Sequence, residues 1–313
     1  VDDDARPRAQ PPDRHDAAAA GREAPGTGLP GPLPVTGLPG PLVGSGWLAE
    51  RLGAPGLLVF DASVGEHRDA GQRIPGARPF DIDGALSDHS VPLPHAMPGT
   101  AGFTEELRSL GLRTGDTVVV YDGAGNYSSA RAWWMLRAMG FDRVAVLDGG
   151  LPGWVAAGLP LESGAPTPAA ERGDFTAAPR AGLVVGADEV AHALTDPASA
   201  VFDARTRERF LGTAPEPRAG LRGGHMPGAV SLPFGEIQRE GLMRPAAELR
   251  GVFAALAGDR RRLYFSCGSG VTACVLALGA ELAGYRELAV YDGSWSEWGM
   301  PSEQRPVVTG HPS

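Results

Sequence analysis

Cysteine occurs twice in these 313 residues, and Cys267 sits where its neighbours suggest chemistry: RLYFSCGSGVTACVLALGAELAGY, residues 262–285. A short apolar run ends at the cysteine, Gly-Ser-Gly follows, and a helical pattern begins at once. With LYFS as a strand and a helix from near Val271, residues 267–272 form a tight loop with its amides turned inward. A helix N-terminus carries unpaired N–H groups and a partial positive charge, and Gly268 and Gly270 allow the φ angles that aim amides at one point. Such a bowl holds an anion and favours a thiolate. A buried inert cysteine is the bland alternative. Glycine flanks and strand-to-helix placement set Cys267 apart from it, whereas Cys274, two turns further along the helix, fits the core better than a redox role.

Two chemistries use a cysteine in an amide cradle. Cysteine phosphatases need an arginine six residues on to grip the phosphate dianion. Here that position is Ala273, and no basic residue lies between 267 and 285. Sulfur transfer needs no such arginine: the thiolate takes a sulfur atom, and the terminal anion of the persulfide occupies the bowl. A second cluster lies upstream, where Arg205, Arg207, Arg209, Arg218 and Arg222 face only Glu208 and Glu216. In a chain of net charge −9, that local positive field suits a small anionic substrate.

The acidic balance excludes nucleic acid as a partner, because phosphate contacts need a basic stripe. Seven scattered histidines and no Cys-x-x-Cys argue against a metal. No apolar run approaches the roughly 18 residues of a membrane span, and the N-terminal VDDDARPRAQ lacks an apolar signal core. Two cysteines seven apart are no disulfide framework, so a reducing, cytoplasmic setting is expected.

The elements that must position Cys267 occur in two copies. LLVFDAS (57–63), IPGA (74–77), VVVYDGAG (118–125) and VAVLDGGLPGW (144–154) are answered in order by AVFDART (200–206), MPGA (226–229), LYFSCGSG (263–270) and LAVYDGSWSEW (288–298). In both copies an aspartate precedes a tryptophan by six residues, Asp148 to Trp154 and Asp292 to Trp298. Strands alternating with helical stretches at 129–140 and 271–285 predict an α/β fold: tandem domains, each a mainly parallel sheet flanked by helices. Ligands on such sheets sit beyond the carboxyl ends of the strands, where Cys267 falls. Residues 1–42, with TGLPGPL twice, are too poor in apolar surface to fold and are expected to be disordered. The first domain then spans 43–161, the Pro- and Ala-rich 162–182 is a linker, and the second domain spans 183–313. In the first copy's loop, YDGAGNYSS (121–129), Asp122 stands near the position of Cys267. A carboxylate is a poor sulfur nucleophile and repels an anion, so that half is expected to be non-catalytic and to wall the cleft.

CGSGVTA (267–273), DGSWSEW (292–298) and RERFLGTAPEPRAGLRGGHMPGAVSLPF (207–234) resemble the two-domain rhodanese-type sulfurtransferases over about 43–313. The neutral Gly-Ser-Gly loop matches the branch that uses 3-mercaptopyruvate, with thiosulfate as the alternative donor. The resemblance implies two rhodanese domains, the second catalytic, and a Cys267 persulfide formed with release of pyruvate. An acceptor thiol such as thioredoxin, or cyanide, then takes the sulfur, and no cofactor is involved. It further implies that Arg209 and Arg218 bind the donor's carboxylate and keto oxygens, and that Ser269 orients the donor or relays a proton. Tyr127 closes the pocket, and Gly268, Ser269, Gly270, Val271 and Thr272 supply the amides. Arg205, Arg207 and Arg222 are expected in surface ion pairs. One departure stands out: the family's histidine before IPGA is Arg73 here, and His225 belongs to the second copy as a structural residue. On this reading no Ser-His-Asp relay is available. A module that kept the fold and lost the activity is the competing class.

Overall fold

The computed structural model describes residues 31–68, 71–166 and 168–311. Two five-stranded parallel sheets share one plan. The first contains β1 (Leu42–Val43), β2 (Leu57–Asp61), β3 (Arg78–Pro79), β4 (Thr117–Tyr121) and β5 (Val144–Leu147), in the order β1-β5-β4-β2-β3. The second contains β6 (Val184–Val185), β7 (Ser199–Asp203), β8 (Val230–Ser231), β9 (Arg262–Ser266) and β10 (Glu287–Tyr291), in the order β6-β10-β9-β7-β8. Register repeats as well: Phe60 pairs with Val120 in one sheet, and Phe202 with Phe265 in the other. The central TVVVY strand is buried along its whole length, as a strand covered by helices on both faces must be.

Helices Ser129–Ala138 and Ala273–Ala283 each follow the central strand of their sheet and pack against one another. Trp133, Trp134 and Leu136 from the first and Cys274, Val275 and Leu278 from the second lie in one continuous apolar cluster. The domain interface is thus built like a core, which opposes independent motion of the halves. The paired tryptophans repeat too: buried Trp154 Nε1 donates to Pro160 O (2.7 Å) and buried Trp298 Nε1 to Pro306 O (2.9 Å).

Two expectations about the connections change. Residues 1–30 of the expected tail lie outside the described residues, but residues between 33 and 42 are held against the first domain. Leu33 N–H donates to Glu50 O, Pro41 O accepts from Val146 N–H, and Leu42 is a strand residue, so the domain begins earlier than 43. The 162–182 connection is strapped down rather than loose. Glu162–Ser163 pairs antiparallel with Gln72–Arg73, and Gly173, Phe175, Ala178 and Arg180 donate backbone hydrogen bonds to the ends of two first-domain helices and to Leu112. The Phe175 ring and Ala177 are buried in the core, and their burial together with these hydrogen bonds works against the entropy of ordering the segment.

Candidate active site

Cys267 follows β9 at the carboxyl edge of the second sheet. Its carbonyl accepts from Trp295 N–H, its own N–H donates to Ser294 Oγ, and the Gly268 carbonyl accepts from Ser296 N–H and Oγ–H. The loop is therefore held by helix Ser294–Trp298 through its carbonyls, while the N–H groups of Gly268 to Thr272 have no protein acceptor among the described residues. Buried amides seldom stay unpaired unless something else binds them. At Gly270 (φ +77°) a Cβ would fall 2.9 Å from Asp292 O, so only glycine fits this turn.

The first domain shows the same loop already filled. Asp122 is fully buried, and its carboxyl accepts from the N–H groups of Ala124, Tyr127 and Ser129 and from Ser129 Oγ–H, at 2.6–2.9 Å. Burial pushes its pKa up, against the hydrogen bonds from Ser129, Tyr127 and Ala124, which favour the ionised form. Where the second domain presents free amides, the first has spent them on its own side chain.

Between the domains lies a cavity of about 200 Å³ lined by Val64, His95 and Tyr127 from the first half and by Arg209, Pro217, Arg218 and the residues from Cys267 to Thr272 (Gly270 excepted) from the second. Cys267 is 2% exposed, yet it faces this polar cavity rather than hydrocarbon alone. The guanidinium of Arg209 lies beside Gly268, 3.3 Å from where a Cβ would be. Arg218 Nη1 donates to Ser296 Oγ (3.2 Å), the hydroxyl that also binds the Gly268 carbonyl.

Arg209 is aimed by a buried chain of charges. Its guanidinium pairs with Glu216, whose other oxygen accepts from Arg205 Nη1 at 2.7 Å. Arg205 is held in turn by Asp203 and stacks 3.9 Å over Trp295. The surface expectation for Arg205 is therefore wrong: with no exposed side-chain area it needs both carboxylates as counter-charges. Arg207 does form an exposed pair with Glu236, but Arg222 binds the carbonyls of Trp298, Gly299, Ser302 and Arg305 instead of a carboxylate.

The largest correction concerns the relay. Ser269 Oγ lies 2.9 Å from His95 Nδ1, and His95 Nε2 lies 2.8 Å from Asp83 Oδ1. A Ser-His-Asp chain is present, built from a histidine that the sequence did not single out. Arg73 is buried elsewhere, against the Gly164 carbonyl and Glu162. His225 is structural, with Nδ1 on Phe210 O (2.8 Å) and its ring stacked on Phe210. His95 has φ +58° in a loop rich in Gly and Pro, and no periodicity or spacing ties PLPHAMP to a serine in the other domain.

Burial pulls the His95 pKa down, Arg131 and Arg218 add to that, and Asp83 opposes it. In the neutral ring Nε2–H donates to Asp83 and Nδ1 accepts from Ser269. The loop carrying His95 is tied to the other domain by Arg131. This fully buried side chain donates to His95 O and Asp292 Oδ1, both at 2.7 Å, and Met97 N–H donates to Asp292 Oδ2. Cys274 is also fully buried; its Sγ–H donates to Gly270 O and burial pushes its thiol up to about 12, which suits an inert core residue. Among the described residues no group of side chains could hold a metal ion, and no helix is long and apolar enough to cross a membrane.

The rhodanese-like domain profile matches residues 45–157 and 186–300. The chain is 40% identical over 272 residues to the 3-mercaptopyruvate sulfurtransferase of Escherichia coli K12, covering 83% of this chain and 95% of that protein. It is 40% identical over 283 residues to the human 3-mercaptopyruvate sulfurtransferase (85% and 94% covered). The bovine thiosulfate sulfurtransferase is 38% identical over 272 residues (82% and 91%). The crystal structure of SseA from Escherichia coli, a 3-mercaptopyruvate sulfurtransferase with the rhodanese fold, superposes with a TM-score of 0.72 at 37% identity, over 82% of this chain and 99% of that one. With both sheets, both loops and both domain matches in agreement, the chain belongs to the rhodanese family and is a sulfurtransferase enzyme of two tandem rhodanese-like domains.

Proposed function

We propose that this enzyme takes sulfur from 3-mercaptopyruvate through a persulfide on Cys267. The observation that carries the reading is the contrast between the two loops: amides bound to Asp122 in one domain stand free around Cys267 in the other. Arg209 and Arg218 on the cavity wall suit the carboxylate and keto oxygens of the donor. Held so, the donor's sulfur meets the Cys267 thiolate in a productive orientation.

The thiolate attacks that sulfur, an S–S bond forms, and the C–S bond breaks with its electron pair passing to the enolate of pyruvate. The donor's thiol proton goes to Ser269 as Ser269 gives its own to His95, and the same chain returns a proton to the methylene carbon. Pyruvate leaves, and the terminal sulfur anion stays in the amide bowl, where fixed dipoles stabilise it. A thiol (thioredoxin among them) or cyanide then removes the sulfur in a ping-pong scheme.

Thiosulfate is the second reading, supported by the bovine relative. The uncharged Gly268-Ser269-Gly270 run and the Ser269–His95 bond favour a donor that must lose a thiol proton, which thiosulfate lacks. Whole-protein mass after mixing with 3-mercaptopyruvate should rise by one sulfur atom, and Cys267→Ser should show no gain. Steady-state kinetics should give the higher kcat/KM with 3-mercaptopyruvate; a preference for thiosulfate overturns the assignment.

A further inference from the structure

The catalytic cavity shares two walls, Val64 and Tyr127, with a second and larger cavity of about 490 Å³. This one belongs wholly to the first domain. It lies between the segment 64–67, which follows β2, and the loop residues Gly123, Ala124, Tyr127 and Ser128, which follow β4. That is the carboxyl edge of the first sheet, the edge at which α/β folds take ligands. It is the duplicated counterpart of the catalytic cavity, and its size falls in the roughly 300–1,000 Å³ range of small-molecule sites.

Its chemistry differs from its twin's. The loop amides that would hold an anion are bound to buried Asp122. What remains is Val64, Ala124, the Tyr127 ring, Ser128 and glycine backbone, with Glu66 and His67 beside them. Such a wall takes an uncharged organic body. In a ping-pong transfer the acceptor arrives after pyruvate has left. The vacated cavity measures only about 200 Å³ and its charged lining suits the small anionic donor, whereas the adjoining space of about 490 Å³ gives an acceptor larger than the donor room to approach the outer sulfur past Tyr127.

We propose that this first-domain cavity is the acceptor site, taking a small organic thiol that attacks the Cys267 persulfide past Tyr127. The proposal rests on the persulfide reading above. The acceptor R–SH forms an R–S bond to the outer sulfur and its proton passes to that sulfur, giving R–S–SH. The bond between the outer sulfur and Cys267 Sγ breaks, and its electron pair restores the thiolate. Donor and acceptor alone balance the step. The half without a nucleophile thus serves the second half-reaction, delivering the thiol that removes the sulfur its twin has captured.

The test separates the two half-reactions. Ala124 and Glu66 are exposed and lie on the two different segments that line the cavity, so Ala124→Trp and Glu66→Trp each fill it from one side. The enzyme is loaded with 3-mercaptopyruvate, the mass gain is recorded, and loss of the persulfide is followed with dithiothreitol or with cyanide, which is small enough to need no such site. The expected result is full loading of both variants, dithiothreitol discharge slowed about tenfold or more, and cyanide discharge within about twofold of wild type. Unchanged dithiothreitol discharge in both loaded variants overturns the acceptor site, as does equal slowing with both acceptors. If wild type itself gains no sulfur, the persulfide reading fails first and is identified as the cause.

Discussion

His95 Nδ1 and Ser269 Oγ are 2.9 Å apart across the cavity and 174 residues apart in the chain. Because the imidazole is part-buried and its pKa lowered, mainly by desolvation, it stays neutral below the ordinary ~6.5. The acid limb of kcat/KM for the donor is therefore expected below pH ~6.5. Asp83 raises this pKa, so Asp83→Asn should move the limb further to acid and lower the plateau, since the tautomer is no longer held. The same sign applies to stability. The unfolded chain binds this proton more readily, so the His95 contribution is lost as pH falls from ~6.5 toward the folded value. pH–rate profiles of both proteins check this, and a wild-type limb above pH ~6.5 contradicts it.

Glu216, 2% exposed at its side chain, bridges Arg205 and Arg209. Glu216→Gln keeps the shape and removes the charge, leaving Arg209 without its anchor and Arg205 with Asp203 alone. Losing one member of a buried ionic set should cost about 3 kcal/mol of stability, read as a lowered Tm. On the proposed reading, in which Arg209 holds the donor, KM for 3-mercaptopyruvate should rise roughly tenfold, with kcat less affected. An unchanged KM would show that Arg209 is aimed by something else.

Asp122 gives a third test, one that touches no reacting atom. Asp122→Asn can keep the acceptor that serves Tyr127 and Ser129, whereas Asp122→Ala strands their N–H groups in a buried loop. The alanine variant should lose about 2–4 kcal/mol and the asparagine variant about 1 kcal/mol or less. Since the folded pKa of Asp122 is raised, the native state holds this proton longer. Its contribution is full below ~3.9 and falls as pH rises through the folded value. Urea melts across that window should show a pH slope in wild type that the asparagine variant lacks.

The repeat and the glycine loop at Cys267 are legible in the sequence because each is local. A strand-loop-helix with glycines at fixed offsets says where its amides must point, and two ordered copies of the same strings imply two sheets of one plan. Arg205 was misread because a charge in a polar stretch looks solvated until Asp203, Glu216 and Trp295 are seen to enclose it. Residues 162–182 join the two domains, but composition carries no sign that Phe175 folds back into the first core.

The sequence alone determined the duplication, the α/β plan of each half and the glycine loop around Cys267, since these depend on residue type and short-range spacing. Only the tertiary structure decided that His95 and Asp83 form a hydrogen-bonded chain with Ser269, that Arg131 ties the two domains at that point, and that the first domain's loop is closed by its own carboxyl. Those arrangements join irregular loops of different domains. Their geometry is set by how two sheets and two helices pack, and packing leaves no period in the chain for a reader to find.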